Sequence, residues 1–269
     1  MAEECFIPTS RGQLFGCRWV PDGASNNLPP IILLHDSLGC ITLWRDFPEQ
    51  LVQRTGRTVI AYDRLGFGRS DPHPGLLTPP DFITDEANGD FSAVIDHFGV
   101  GNFVALGHSV GGGMGIGVAA TTPIQCKGLI SISAQTFAEE KTIEGVKTAQ
   151  KTFAEPDQIE RLKKYHGDKV EWILSAWIDN WLSPAFDGWS LTPLIGAIVC
   201  PILTIHGEDD EYGSPAHAER IKQRASTPVT LSVLQGEGHV PHKTSTETCL
   251  LYTSPSPRDR TRSRMPSSA

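Results

Sequence analysis

No apolar run in these 269 residues approaches the roughly eighteen residues of a membrane-spanning helix, so a membrane protein is not expected. The opening Met1-Ala2-Glu3-Glu4-Cys5-Phe6 lacks a basic stretch followed by an apolar one, and without such a signal the chain reads as cytoplasmic. Cysteine is scarce. Cys5, Cys17, Cys40, Cys126, Cys200 and Cys249 stand far apart with no C-x-x-C pair, which argues against a disulfide scaffold and against a zinc site. Positive charge is also in deficit: Lys and Arg total 23 against 31 Asp and Glu. Four Arg and one Asp lie after residue 250, leaving -11 on the residues before it, and so acidic a body repels nucleic-acid backbones. Gly113, Gly115 and Gly117 do not reproduce a dinucleotide fingerprint in phase with the preceding strand, and no Walker lysine follows a glycine loop.

What is present is a series of short apolar runs rich in Ile and Val: Ile31 to Leu34, Val59 to Tyr62, Phe103 to Leu106, Leu129 to Ile132, Ile202 to Ile205 and Val229 to Leu234. Continuous runs of this length suit strands covered on both faces, and their alternation with helical stretches implies an α/β fold with a mostly parallel sheet. Cys5 to Pro8 and Gln13 to Val20 flank Ser10-Arg11-Gly12, which predicts an antiparallel N-terminal hairpin.

Between 135 and 195 the period becomes helical, with helices expected over Glu139 to Phe153, Pro156 to Tyr165 and Asp168 to Leu182, the last opened by a capping box from Asp168 and Glu171. Trp172, Trp177, Trp181 and Trp189 crowd into this insertion, where an aromatic stripe packs a small helical core or lends one or two rings to a cavity. From 251 to 269 the chain turns Ser-, Pro- and Arg-rich without apolar period, so a disordered basic tail is expected, an artefact standing where a last helix belongs.

The strongest local signal is Gly107-His108-Ser109-Val110-Gly111, a G-x-S-x-G directly after a strand run and before a helical stretch from Gly112 to Ala120. A nucleophile exposed on so sharp a turn needs neighbours almost without side chains two residues before and after it. A serine hydroxyl also needs a base oriented by a carboxylate, expected past the ends of later strands in the order Ser, acid, His. His206-Gly207-Glu208-Asp209-Asp210 follows one such run, and Gly236-Glu237-Gly238-His239 follows the next.

With these motifs the sequence resembles the α/β-hydrolase fold superfamily over roughly residues 5 to 245. Asp63-Arg64-Leu65-Gly66-Phe67-Gly68-Arg69-Ser70 resembles its D-x-x-G-x-G-x-S loop, His206-Gly207-x-x-Asp210 its acid segment, and Gly238-His239-x-Pro241-His242 its base segment. The resemblance implies a hydrolase core over 1-134 and 196-250, a helical cap over 135-195, and a triad of Ser109, Asp210 and His239, with Asp210 preferred to Asp209 and His239 to His242. It also implies an oxyanion hole from the backbone amides of Val110 and Ser37, with Leu38 second to Ser37. Asp36 stands where the family has glycine in His35-Asp36-Ser37, a departure that bears on the path of that loop. His35 is expected to be a structural hydrogen bonder. His108, Leu38, Trp177 and Trp181 are the candidates for the substrate pocket, and the cap is similar to those of small esterases of the valacyclovir hydrolase and enol-lactonase type.

Serine at the elbow argues against haloalkane dehalogenases and epoxide hydrolases, which carry aspartate there, and the insertion holds one tyrosine, Tyr165, where epoxide hydrolases need two. Ester hydrolysis of a small-molecule substrate through an acyl-enzyme is the expected function, with no metal or organic cofactor. Lactonase, C-C bond hydrolase and hydroxynitrile lyase chemistry share the same residues, and a noncatalytic ligand-binding protein could share the fold.

Overall fold

The computed structural model describes residues 2-23, 27-76 and 81-253. Of the expected basic tail, residues 254-269 lie outside the described residues. Eight strands form one sheet: β1 (Ala2–Thr9), β2 (Gly12–Trp19), β3 (Ile31–Leu34), β4 (Val59–Asp63), β5 (Phe103–His108), β6 (Cys126–Ile132), β7 (Ile202–Gly207) and β8 (Val229–Leu234). Their spatial order is β1-β2-β4-β3-β5-β6-β7-β8. The β1/β2 hairpin and the β2/β4 pair are antiparallel, and every pair from β4/β3 onward is parallel.

The helices are α1 (Phe47–Thr55), α2 (Phe82–Asn88), α3 (Asp90–His97), α4 (Val110–Thr121), α5 (Glu140–Thr152), α6 (Pro156–His166), α7 (Val170–Trp181), α8 (Thr192–Ala197), α9 (Ala216–Arg224), α10 (Pro241–Thr244) and α11 (Thr246–Thr253). All four residues of β3 are buried because both faces of the sheet are covered. Ile32 and Leu34 join Ile60, Phe91, Phe103 and Ile116 in one core, while Ile31 and Leu33 join Phe47, Leu51, Leu106 and Leu250 in the other, the period of two that a strand imposes. The second core includes Cys249 and Leu250, so α11 supplies cover where a last helix is expected to be missing, and helix extends through Thr253, past the expected boundary at 250.

Helices α5 to α8 all lie between β6 and β7. The segment leaves and rejoins the sheet through a narrow neck: Phe137 bridges Ser190, Ala138 N–H donates to Trp189 O at 3.0 Å, and Leu191 N–H to Thr136 O at 2.8 Å. The capping box expected at Asp168 and Glu171 does not form. A 3-10 turn over Gly167–Lys169 precedes α7, which has no side-chain cap, because the turn carries the chain straight from α6 into α7.

Candidate active site

Ser109 sits between β5 and α4 with φ 56° and ψ -126°, a conformation unfavourable for any residue with a Cβ. The turn survives because its neighbours give way. A Cβ on Gly107 would collide with the Gly111 carbonyl, and one on Gly111 would collide with the Leu34 carbonyl on β3. Ser109 N–H donates to Ile132 O at 2.9 Å, and Ser109 O accepts from Gly112 N–H at 2.8 Å, anchoring the turn at both sides.

Asp210 and His239 arrive from the ends of β7 and β8. Asp210 is fully buried whereas Glu208 and Asp209 are exposed, so Asp210 alone of the acidic run faces the interior. His239 Nδ1 lies 2.9 Å from both carboxylate oxygens of Asp210. Tyr212 N–H donates to Asp210 Oδ1 at 2.8 Å, and His206 Nε2 lies 3.3 Å from Oδ2 while donating to Gly213 O at 3.1 Å. Burial alone would raise the Asp210 carboxyl, but the hydrogen bond and charge of His239, with His206 and the Tyr212 amide, hold it below its ordinary value. His206 is pushed down to about 4 by burial, against the pull of Asp210. The backbone of His239 is held too, its N–H donating to Glu211 Oε2 at 3.1 Å and its carbonyl accepting from His108 Nε2 at 2.8 Å.

His242, the alternative base, is packed away among Trp44, Phe47 and His108, with Nδ1 buried and without a hydrogen-bond partner among the described residues. Burial holds it well below an ordinary histidine. His35 is structural, donating from Nδ1 to Asp36 O at 2.8 Å and accepting Arg64 N–H at Nε2 at 3.1 Å.

Ser109, His239, His108, Ser37 and Leu38 line one cavity of about 320 Å³. Its other walls include Leu43, Phe153, Leu162, Tyr165, Trp177 and Tyr212, with Arg161 and Lys243 also lining it. Neither cation forms an ion pair among the described residues; Arg161 reaches only Gln158, at 3.5 Å. The Ser109 hydroxyl donates to the buried Gln135 Oε1 at 3.3 Å, and no hydrogen bond links it to His239. The serine is therefore parked on an uncharged acceptor, and a turn about its Cα–Cβ bond is what would aim it elsewhere.

The amides of Ser37 and Val110 donate to no group among the described residues, whereas Leu38 N–H is taken by Asp36 Oδ1 at 2.9 Å. That contact removes Leu38 as an alternative anion donor. Of the two candidate pocket tryptophans, Trp177 lines the cavity and meets Tyr212 edge-on at 5.8 Å between ring centres. Trp181 does not. It is 3% exposed and packed against Phe186 and Trp189, because its position on α7 faces the core. Gln135, Tyr212 and Arg161 belong to the site without any motif announcing them; Gln135, just past β6, could have been found only by asking what faces the elbow across the sheet.

The segment carrying α5 to α8 is tied to the sheet by few polar contacts. His166 Nδ1 accepts Gly68 N–H at 2.9 Å and its Nε2 donates to Leu38 O at 3.0 Å, joining α6 to two loops at once. Lys169 Nζ donates to Gly68 O at 2.7 Å and Ser70 O at 2.6 Å. Among the described residues no helix is long and apolar enough to cross a membrane, and no group of three or more His, Cys, Asp or Glu could hold a metal ion.

Residues 29-173 match a family model described as the alpha/beta hydrolase fold. Among curated proteins, the chain is 31% identical over 104 residues to an sn-1-specific diacylglycerol lipase of Xenopus laevis, covering 39% of this chain and 31% of the relative. It is 32% identical over 97 residues to a proline iminopeptidase of Lactobacillus helveticus, covering 35% and 31%. The match thus spans about a third of the length of these relatives. Among solved structures, naproxen esterase of Bacillus subtilis superposes with a TM-score of 0.70 at 20% identity, covering 94% of this chain and 92% of that one, a likeness of fold. With an elbow serine at the end of β5, a mixed eight-stranded sheet and a family match over more than half its length, this chain belongs to the α/β-hydrolase fold family.

Proposed function

We propose that this protein is a serine hydrolase that cleaves a small carboxylic ester through an acyl-enzyme. The observation that carries the reading is one cavity lined by the Ser109 elbow and by His239, whose imidazole is held on a buried carboxylate. In the proposed cycle Ser109 turns from Gln135 to His239, which takes its proton as the hydroxyl attacks the ester carbonyl. The amides of Ser37 and Val110 receive the developing oxyanion, and the start of α4 adds its positive dipole end. Asp210 holds the imidazolium in the correct orientation and offsets its charge. His239 then protonates the departing alcohol, activates a water, and release of the acid restores the serine.

Residues 135-195 act as the cap in this reading, closing the cavity with α6 and α7 and keeping water from the acyl-enzyme. The aromatic and aliphatic walls suit a hydrophobic acyl or alcohol group, and the unpaired Arg161 and Lys243 favour a substrate carrying a negative charge away from the ester. The names of the relatives, lipases and esterases alongside a peptidase, support hydrolysis, and ester cleavage is the form of it adopted in this reading. The substrate is taken to be a small soluble molecule met in the cytoplasm. Turnover of a p-nitrophenyl ester series by the intact protein, lost in Ser109→Ala, tests the proposal. Binding of the same esters without turnover would make the protein a ligand-binding member of the fold instead.

A further inference from the structure

We infer that Asp36, standing where the family's loop has glycine, is a positioning residue that holds the Ser37 amide in place through a proton-bridged contact to His108. The inference rests on the hydrolase reading above, because it concerns the amide that reading assigns to the oxyanion.

One carboxylate spans Ser37. Its Oδ1 accepts Leu38 N–H at 2.9 Å, closing a short turn around residue 37, and its Oδ2 lies 3.3 Å from His108 Nδ1. The Asp36 carbonyl is pinned by Arg64 at 2.9 Å and by His35 at 2.8 Å. His108 is the residue before the nucleophile, and its Nε2 donates to the carbonyl of His239 at 2.8 Å. This one imidazole therefore touches the loop after β3, belongs to the elbow after β5, and touches the loop after β8. The three loops that must keep register for the reaction meet on it.

The tautomer follows from the contacts. A carbonyl can only accept, so Nε2 carries a proton; a neutral His108 then presents the Nδ1 lone pair to a carboxylate, which repels it. The contact is attractive only when a further proton lies between Nδ1 and Oδ2. The groups facing that proton are Asp36 itself, the rings of His239 and His242 at 4.9 and 4.5 Å from the His108 ring, the Lys243 ammonium and the nearby His35. Burial pulls His108 below an ordinary histidine while the Asp36 bond pulls it up, so the bridge is firmest in mild acid and loosens as pH rises. A carboxamide at 36 would keep the Leu38 contact and donate permanently to Nδ1.

The test compares Asp36→Asn and Asp36→Ala with the intact protein in ester turnover, thermal stability and 15N NMR of the histidine ring nitrogens. Asp36→Ala is expected to lower kcat about 30-fold with KM within about threefold, since the oxyanion amide loses its anchor. Asp36→Asn is expected to stay within about threefold at pH 6 and to equal or exceed the intact protein at pH 8. In the NMR arm, His108 Nδ1 moves toward the protonated range as the pH is lowered in the intact protein and stays unprotonated in Asp36→Asn. The inference is overturned if folded Asp36→Ala keeps full kcat, if Asp36→Asn is as impaired as Asp36→Ala, or if His108 titrates alike in all three. Absence of turnover by the intact protein counts against the hydrolase reading alone, and the ring-nitrogen titration then decides whether the bridge exists.

Discussion

The strand-end loops and the α5 to α8 segment are built by different means. The loops that carry Ser109 and Asp210 follow β5 and β7, whose residues are nearly all buried, and the loop that carries His239 follows the half-exposed edge strand β8; all are locked by backbone hydrogen bonds and close glycine contacts. The α5 to α8 segment packs mostly by aromatic rings and is joined to the loops by His166, Lys169 and Trp172, whose indole N–H donates to Gly75 O at 2.8 Å. The contrast teaches that Ser109, Asp210 and His239 are held by backbone sterics and backbone hydrogen bonds, whereas the cavity walls are held by side chains that can be exchanged.

That division is sharpest for Ser109→Ala, which should reduce kcat by about 10⁴-fold or more while leaving the melting temperature within a few degrees, because the methyl fits the same turn. Loss of activity together with loss of folding would break the comparison. Asp210→Asn should reduce kcat about 10³-fold or more by favouring the wrong His239 tautomer, again with little change in KM.

Acid should act on the strand-end loops before the helical segment. The folded-state value of His206 is about 4 against an ordinary 6.5, so the unfolded chain binds its proton first as pH falls. Its contribution is complete above about 6.5 and shrinks as pH drops through that window, and the stability lost reaches about 3 kcal/mol by pH 4. Chemical denaturation from pH 7 to 4.5 measures this loss, and His206→Asn should flatten the slope.

His166→Ala tests the joint between the two regions. It leaves Gly68 N–H and Leu38 O without their partner, costing about 2 kcal/mol and raising KM more than it lowers kcat. The smallest effect belongs to the cavity wall. An ester with a terminal carboxylate should be preferred several-fold over a neutral ester of equal length, a preference that falls in Arg161→Gln and in high salt.

The same division governs what could be read from sequence. Gly107, Ser109 and Gly111 were legible because strain leaves few residue choices, and the inner parallel strands because nearly all their residues are buried. Asp210 was separable from Asp209 only by resemblance, and burial now separates them physically. Trp177 and Trp181 lie four residues apart on one helix, so period alone could not tell the ring at the cavity from the ring in the core. Gln135 carried no motif, since a single acceptor facing the elbow follows no repeat, and Asp36 was visible as a departure whose partner, His108, is distant in sequence.

The central claim is that Ser109 becomes covalently acylated. Rapid quenching during turnover of a slowly hydrolysed p-nitrophenyl ester, followed by mass spectrometry of the peptide containing residue 109, should show the acyl mass on Ser109 and none in Ser109→Ala. Full turnover with Ser109 never acylated, or acylation at another residue that persists in Ser109→Ala, would contradict it.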